Sequence, residues 1–132
     1  MTTIELPEEL KLKLSERGVL VVYLYGSAAL GLPLPRDLDF ACLFRQNSKE
    51  NSFELFGKLY SLFGEFFKEE IDILILNQAP IDLQFEVINT GKALFESSLE
   101  TRLDFEEKVM MEYIEFKPYL EEYHKAVFEA FH

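Results

Sequence analysis

Hydrophobic positions come in short blocks whose period changes along the chain. Pro7 followed by Glu8, Glu9 and Leu10 starts a short helix, with Leu10 and Leu14 on one face and Gly18 as its stop. Val19 to Tyr25 is β-branched, aromatic and uncharged, which predicts a strand buried on both faces. Gly26-Ser27 interrupts it. Ala28-Ala29-Leu30 fits one helical turn, and the two prolines of Gly31 to Pro35 require a loop. A second strand runs from about Asp37 to Phe44. Leu38, Phe40, Cys42 and Phe44 point one way and Asp37, Asp39, Ala41 and Leu43 the other.

After a polar turn from Gln46 to Asn51, Asn51 or Ser52 caps a helix reaching about Lys68. Its expected buried stripe is Phe53, Phe56, Leu59 or Tyr60, Phe63, and Phe66 or Phe67. Ile71 to Leu76 reads as a third strand in which Asp72 is the one charge. Asn77 to Ile81 is a turn, Pro80 stands near the start of another helix ending by Gly91, and Ala93-Leu94-Phe95 fits a short edge strand. From Ser97 or Ser98 to the end the pattern is helical. Phe105, Val109, Tyr113, Phe116, Leu120, Tyr123 and Val127 form one stripe, and Leu103, Met110 and Ile114 a second beside it. The second stripe either is buried within the domain or meets a partner or second copy. Lys117-Pro118 is expected to kink or divide this helix. Three strands among helices predict a small α/β (α+β) domain with a mixed sheet, a core over residues 1–96 and a C-terminal helical extension over 97–132.

Composition narrows the function. A chain of 132 residues has room for one domain, and 48% hydrophobic residues exclude intrinsic disorder. Thirteen Lys+Arg against 24 Asp+Glu give a formal charge of -11, which argues against a free-standing nucleic-acid binder. It leaves ATP open, because a divalent cation can sit between carboxylates and a triphosphate. Residues 96–132, with ten acids and four bases, hold -6 of that charge. The single Cys42 excludes an intrachain disulfide and suits a reduced, cytoplasmic setting. The longest apolar run falls far short of the roughly 20 residues that span a bilayer, and the N-terminus lacks a signal-peptide pattern.

Candidate chemistry concentrates between Gly26 and Asp72. Glycine after a buried strand lets a ligand approach the backbone. Asp37 and Asp39 are two apart on a strand and so share a face. Asp72 is a third carboxylate in an apolar run, costly there unless paired or bound to a cation. Together they would make an oxygen-rich site for Mg²⁺. The spacing also admits solvated turn residues at Asp37 and Asp39, and a strand-end position for Asp72. Ser27 lacks the Gly-x-Ser-x-Gly elbow of a hydrolase nucleophile, and no Gly-Lys-Ser/Thr follows to make a Walker loop.

Leu24-Tyr25-Gly26-Ser27-Ala28-Ala29-Leu30-Gly31 and Arg36-Asp37-Leu38-Asp39-Phe40-Ala41 resemble the signature of polymerase-β-type nucleotidyltransferases, and more narrowly the minimal nucleotidyltransferases (MNT). Ile71 to Ile81, Phe85 to Glu96 and Tyr113 to Pro118 are similar to MntA-like antitoxins, partners of HEPN ribonuclease toxins. The resemblance implies the polymerase-β-type fold. It implies that Gly26 and Ser27 hold ATP phosphates, that Asp37 and Asp39 bind two Mg²⁺ ions, and that Asp72 ligates the catalytic ion and helps deprotonate the attacking hydroxyl. It further implies transfer of AMP to a tyrosine of a HEPN toxin. Many relatives carry Arg at the position of Leu30 and a small polar residue at that of Arg36. Arg36 is therefore expected to supply part of the missing positive charge near the phosphates. Two other functions stay open: a non-catalytic antitoxin acting by complex formation, and nucleotidyl transfer to a small-molecule hydroxyl.

Overall fold

A computed structural model describes residues 4–26, 28–30, 37–45 and 51–131. The elements are α1 (Glu8–Glu16), β1 (Val19–Tyr25), β2 (Asp37–Phe44), α2 (Ser52–Gly64), β3 (Glu70–Ile75), α3 (Ile81–Thr90), β4 (Lys92–Glu96) and α4 (Leu99–Ala130), with a 3₁₀ turn at Leu76–Gln78. The strands form a sheet in the order β3-β2-β1-β4. β1 runs antiparallel to β2 and β4, whereas β2 and β3 are parallel, so the sheet is mixed as expected. The parallel pair needs a crossover, and α2 supplies it.

Strand alternation sorts the core into two halves. Val22 and Leu24 of β1, Leu38, Phe40, Cys42 and Phe44 of β2, and Ile73 and Ile75 of β3 pack under α1 and α2. Val21, Tyr23 and Ala41 point to the opposite face, where Val87 of α3 and Phe105 of α4 meet them. Burying these side chains is the main source of stability, at roughly 1.5–3 kcal/mol for each large one. Cys42 is fully buried among them, and burial pushes its thiol pKa up, so it serves as a small apolar residue.

The second face also carries polar ties. The Tyr23 hydroxyl donates to Glu106 Oε2 at 2.8 Å, and Arg102 donates to Glu106 at 2.8 Å and to Glu96 at 3.0 Å. These bonds pin the first turns of α4 across β1 and β4. The Phe85 and Tyr113 rings stack with centroids 3.9 Å apart, joining α3 to α4. Asn77 both accepts from Phe44 N and donates to Phe44 O at 2.9 Å, fixing the end of β2.

One expectation needs correction, and the structure narrows two that stood as alternatives. α2 stops at Gly64 rather than near Lys68, and its buried residues are Leu55, Leu59, Leu62 and Phe63; Phe53, Phe56 and Tyr60 are exposed. Apolar residues occupy most of this helix, so spacing alone fits either stripe. The sheet selects the leucines, together with Phe63, whose ring lies 4.6 Å from that of Phe40. α4 is one helix through Pro118 and is not divided. Its neighbourhood is exposed, so water can take the carbonyl that proline frees. The second stripe is not buried, because Leu103, Met110 and Ile114 are all exposed. No helix among the described residues is long and apolar enough to cross a membrane.

Candidate functional site

β1 ends at Tyr25, and Gly26 turns the chain with φ +74. A left-handed residue is costly for any side chain with a Cβ. A second constraint is steric. A Cβ on Gly26 would stand 2.6 Å from Asp39 Oδ2, so the Asp39 carboxylate lies against the bare glycine Cα. Two parts of the motif thus explain each other: the residue that turns the chain also leaves the space for the carboxylate. The turn continues through Ala28–Leu30, where Leu30 N donates to Gly26 O at 3.3 Å.

Asp39 pairs with Tyr25 on one side and with Asp72 on the other in the strand register. Asp37 stands two residues before Asp39, opposite Glu70. Alternation therefore sets Asp37, Asp39, Asp72 and Tyr25 on one face of the sheet. That face is buried by α3 and α4 further along β1, and at this end it opens to solvent. Asp37 and Asp72 are exposed and Asp39 is half-buried. Exposure removes one part of the expectation for Asp72. It occupies an edge strand in contact with water, so burial does not force it to find a partner. One of its oxygens accepts from Ile73 N at 3.0 Å. Ser27 and Arg36, expected to meet phosphate, lie outside the described residues, as do the loop at 31–35 and the turn residues 46–50.

Burial, then the neighbouring charges of Asp72 and Asp37, hold the Asp39 carboxyl above the usual aspartate range. Burial and the charges of Asp39, Asp72 and Glu86 push the Tyr25 phenol up to about 12. Tyr25 therefore stays a hydrogen-bond donor among carboxylates at neutral pH. Tyr25 and Glu86 were not singled out in the sequence, although Tyr25 directly precedes the Gly-Ser turn. Glu86 reaches this neighbourhood because α3 seats tightly at its C-terminus. A Cβ on Gly91 would meet Val87 O at 2.5 Å, Leu24 O at 3.0 Å and Tyr25 Cβ at 3.5 Å.

This concentration of negative charge, all of it oxygen, suits a hard divalent cation. Among the described residues no three His, Cys, Asp or Glu side chains converge closely enough to hold an ion by themselves.

Comparison with known proteins bears on the family and the fold. The family model described as Polymerase beta, Nucleotidyltransferase matches residues 8–100. No curated protein matches the sequence. Among solved structures, a crystal structure of a toxin-antitoxin with AMP-PNP superposes with a TM-score of 0.69 at 25% identity, covering 93% of this chain and 99% of that one. The crystal structure of the toxin-antitoxin MntA-HepT gives a TM-score of 0.61 at 21% identity, covering 92% and 99%. A tri-AMPylated HEPN toxin of Shewanella oneidensis in complex with MNT antitoxin also gives 0.61, at 22% identity, covering 92% and 98%. The last two likenesses establish the fold alone.

Proposed function

Because this chain belongs to the polymerase beta nucleotidyltransferase family, we propose that it is an antitoxin that transfers AMP from ATP to a tyrosine of a HEPN ribonuclease toxin. The observation that carries this reading is the Asp39 carboxylate held against Gly26, with Asp72 its register partner on the open end of the sheet. A similar structure contains AMP-PNP, and another holds an AMPylated HEPN toxin, which supports both ATP as donor and a toxin as acceptor.

The reaction joins the acceptor oxygen to the α-phosphorus and breaks the α–β bridging bond, releasing pyrophosphate. The proton of the attacking hydroxyl goes to a carboxylate. Asp72 is suited to take it, since it is exposed on an edge strand where an incoming side chain has access. Asp37, Asp39 and Asp72 would hold two Mg²⁺ ions, which supply charge neutralisation on the phosphates and at the leaving oxygen. Gly26 with Ser27 would receive the β and γ phosphates, and Arg36 would add positive charge beside them. Tyr25, kept protonated, offers a donor at the rim of the same face. In-line attack otherwise asks little beyond positioning, and Gly26 and the register of β1, β2 and β3 supply that for Asp39 and Asp72.

A second reading, neutralisation by complex formation alone, draws support from the exposed apolar residues of α4, a binding surface that needs no chemistry. The test is incubation with Mg²⁺, labelled ATP and a HEPN-type toxin, next to an Asp37→Asn/Asp39→Asn control. A mass gain of one or more AMP units on the HEPN protein, absent in the control, supports transfer. A stable complex without mass gain supports the binding antitoxin, and neither result returns the acceptor to a small molecule.

A further inference from the structure

Asp39 and Asp72 are held with unequal firmness. Asp39 lies on β2, paired on both sides, with its carboxylate against Gly26. Asp72 lies on β3, which ends the sheet and has β2 as its one neighbour. The ladder between them is parallel, the slightly weaker kind of pairing. It ends at Cys42 with Ile75, about 10 Å beyond Asp72 along the strand. There the β3 main chain leaves the sheet for the 3₁₀ turn Leu76–Gln78. Two residues further along each strand, the same register matches Phe44 with Asn77. The Asn77 side chain keeps that match: Oδ1 accepts from Phe44 N and Nδ2 donates to Phe44 O, both at 2.9 Å. A carboxamide carries the donor and the acceptor of a peptide group, so the side chain extends the ladder where the backbone has turned away.

The turn that carries Asn77 is itself anchored. Gln84 of α3 donates through Nε2 to Leu76 O and to Ala79 O, both at 2.9 Å. α3 in turn packs on β1 through Val87, which meets Val21 and Tyr23. The far end of β3 is therefore tied to a part of the body that stands apart from the β2–β3 ladder. A strand carries displacement along its axis as a rigid element, so a shift at Asn77 is passed on to Asp72. Resting on the function proposed above, we infer that Asn77 is a positioning residue for Asp72: its two bonds to Phe44 hold β3 at the register in which Asp72 and Asp39 share a divalent cation. Asn77 is exposed, so its replacement opens no cavity and leaves the core packing in place. A role limited to closing the end of the sheet makes different predictions.

The test compares the full wild-type chain with Asn77→Ala, with the isosteric Asn77→Asp, which loses the donor to Phe44 O, and with Tyr23→Phe. The last removes a hydrogen bond of the same sheet face outside β2 and β3 and serves as the stability control. Three quantities are read: amide hydrogen exchange of the metal-free protein, Mn²⁺ affinity beside α,β-methylene-ATP, whose α–β bridge transfer cannot break, and AMP transfer to a HEPN-type toxin in Mg-ATP. In both Asn77 variants exchange is expected to quicken along β3 as far as Asp72. Their Mn²⁺ affinity is expected to fall by about 10-fold, the lower end of the loss when a group behind a metal ligand is removed. Tyr23→Phe is expected to bind Mn²⁺ as wild type does. Wild-type Mn²⁺ affinity in the Asn77 variants overturns the inference, as does faster exchange confined to residues 74–77. An equal loss in Tyr23→Phe overturns it too, as does a wild type that binds no Mn²⁺ beside the analogue. The expected pattern in a wild type that transfers no AMP upholds the role of Asn77 and refutes the transferase reading. Unchanged Mn²⁺ affinity in the variants, with AMP transfer by the wild type, refutes Asn77 alone, so the two fail separately.

Discussion

Replacing Gly26 by alanine does two separable things, and Gly18 provides the control that separates them. Both glycines have positive φ, +82 at Gly18 and +74 at Gly26. An alanine at either position meets the same left-handed backbone, at a cost of about 1–2 kcal/mol. Around Gly18 nothing lies within 4 Å of an added Cβ, so backbone strain is the whole effect. At Gly26 the Cβ arrives 2.6 Å from Asp39 Oδ2, and the oxygen must retreat by about 0.8 Å to reach an ordinary 3.4 Å contact. A carboxylate at the end of a side chain can move that far by rotating, so the added stability cost is small. The same displacement matters for chemistry, since misplacing a reacting group by about 1 Å costs on the order of 100-fold. Urea denaturation is therefore expected to give similar losses for Gly18→Ala and Gly26→Ala. AMP transfer, measured at saturating Mg-ATP and at a temperature where both variants are folded, should stay near wild type for Gly18→Ala. For Gly26→Ala it should fall by about two orders of magnitude. Equal activities in the two variants would falsify the claim that Gly26 serves the Asp39 carboxylate rather than the turn alone.

Two further expectations follow from neighbouring charges and bonds. Asp39 and Asp72 are like charges in direct register, which costs roughly 0.2–1 kcal/mol. In chelator, Asp39→Asn should raise the urea midpoint slightly at pH 7, and Mg-ATP should reverse the ranking by stabilising only the wild type; a lower midpoint in chelator would sink this account. Tyr23→Phe removes the 2.8 Å bond to Glu106 and should cost about 1 kcal/mol at pH 7. Burial, and then the bond and charge of Glu106, raise the Tyr23 phenol pKa above its unfolded value. Its contribution is therefore complete below about pH 10 and lost as pH rises beyond that. The stability gap between wild type and Tyr23→Phe should narrow above pH 10, and a constant gap would show that the phenol does not titrate late.

The strands and most helix boundaries were legible because their signals are local. Val19 to Tyr25 is uncharged and β-branched, Asp37 to Phe44 alternates cleanly, and Pro7, Asn51, Ser98 and Gly18 mark helix ends. Spacing also placed Asp37 and Asp39 on one face. What spacing does not carry is register. That Asp39 faces both Tyr25 and Asp72 depends on how β1 and β3 slide against β2, and sequence distance says nothing of it. The choice between the phenylalanine and leucine stripes of α2 has the same origin: both have helical period, and only the sheet beneath decides which is buried. Glu86 enters the site's surroundings through the tight seat of Gly91, a tertiary fact with no pattern of its own in the chain.

One sheet face performs two tasks, and its geometry explains how they are kept apart. Toward the start of β1, Val21 and Tyr23 are roofed by α3 and α4 and tied through Glu106 and Arg102. Toward its end, Tyr25, Asp39 and Asp72 stand beyond most of that roof, where charge is affordable because water still reaches it. Gly91 lets α3 come down close to Leu24 and Tyr25 and so sets where cover stops and the open site begins. α4 crosses the covered part and then leaves the body, carrying its apolar stripe with it.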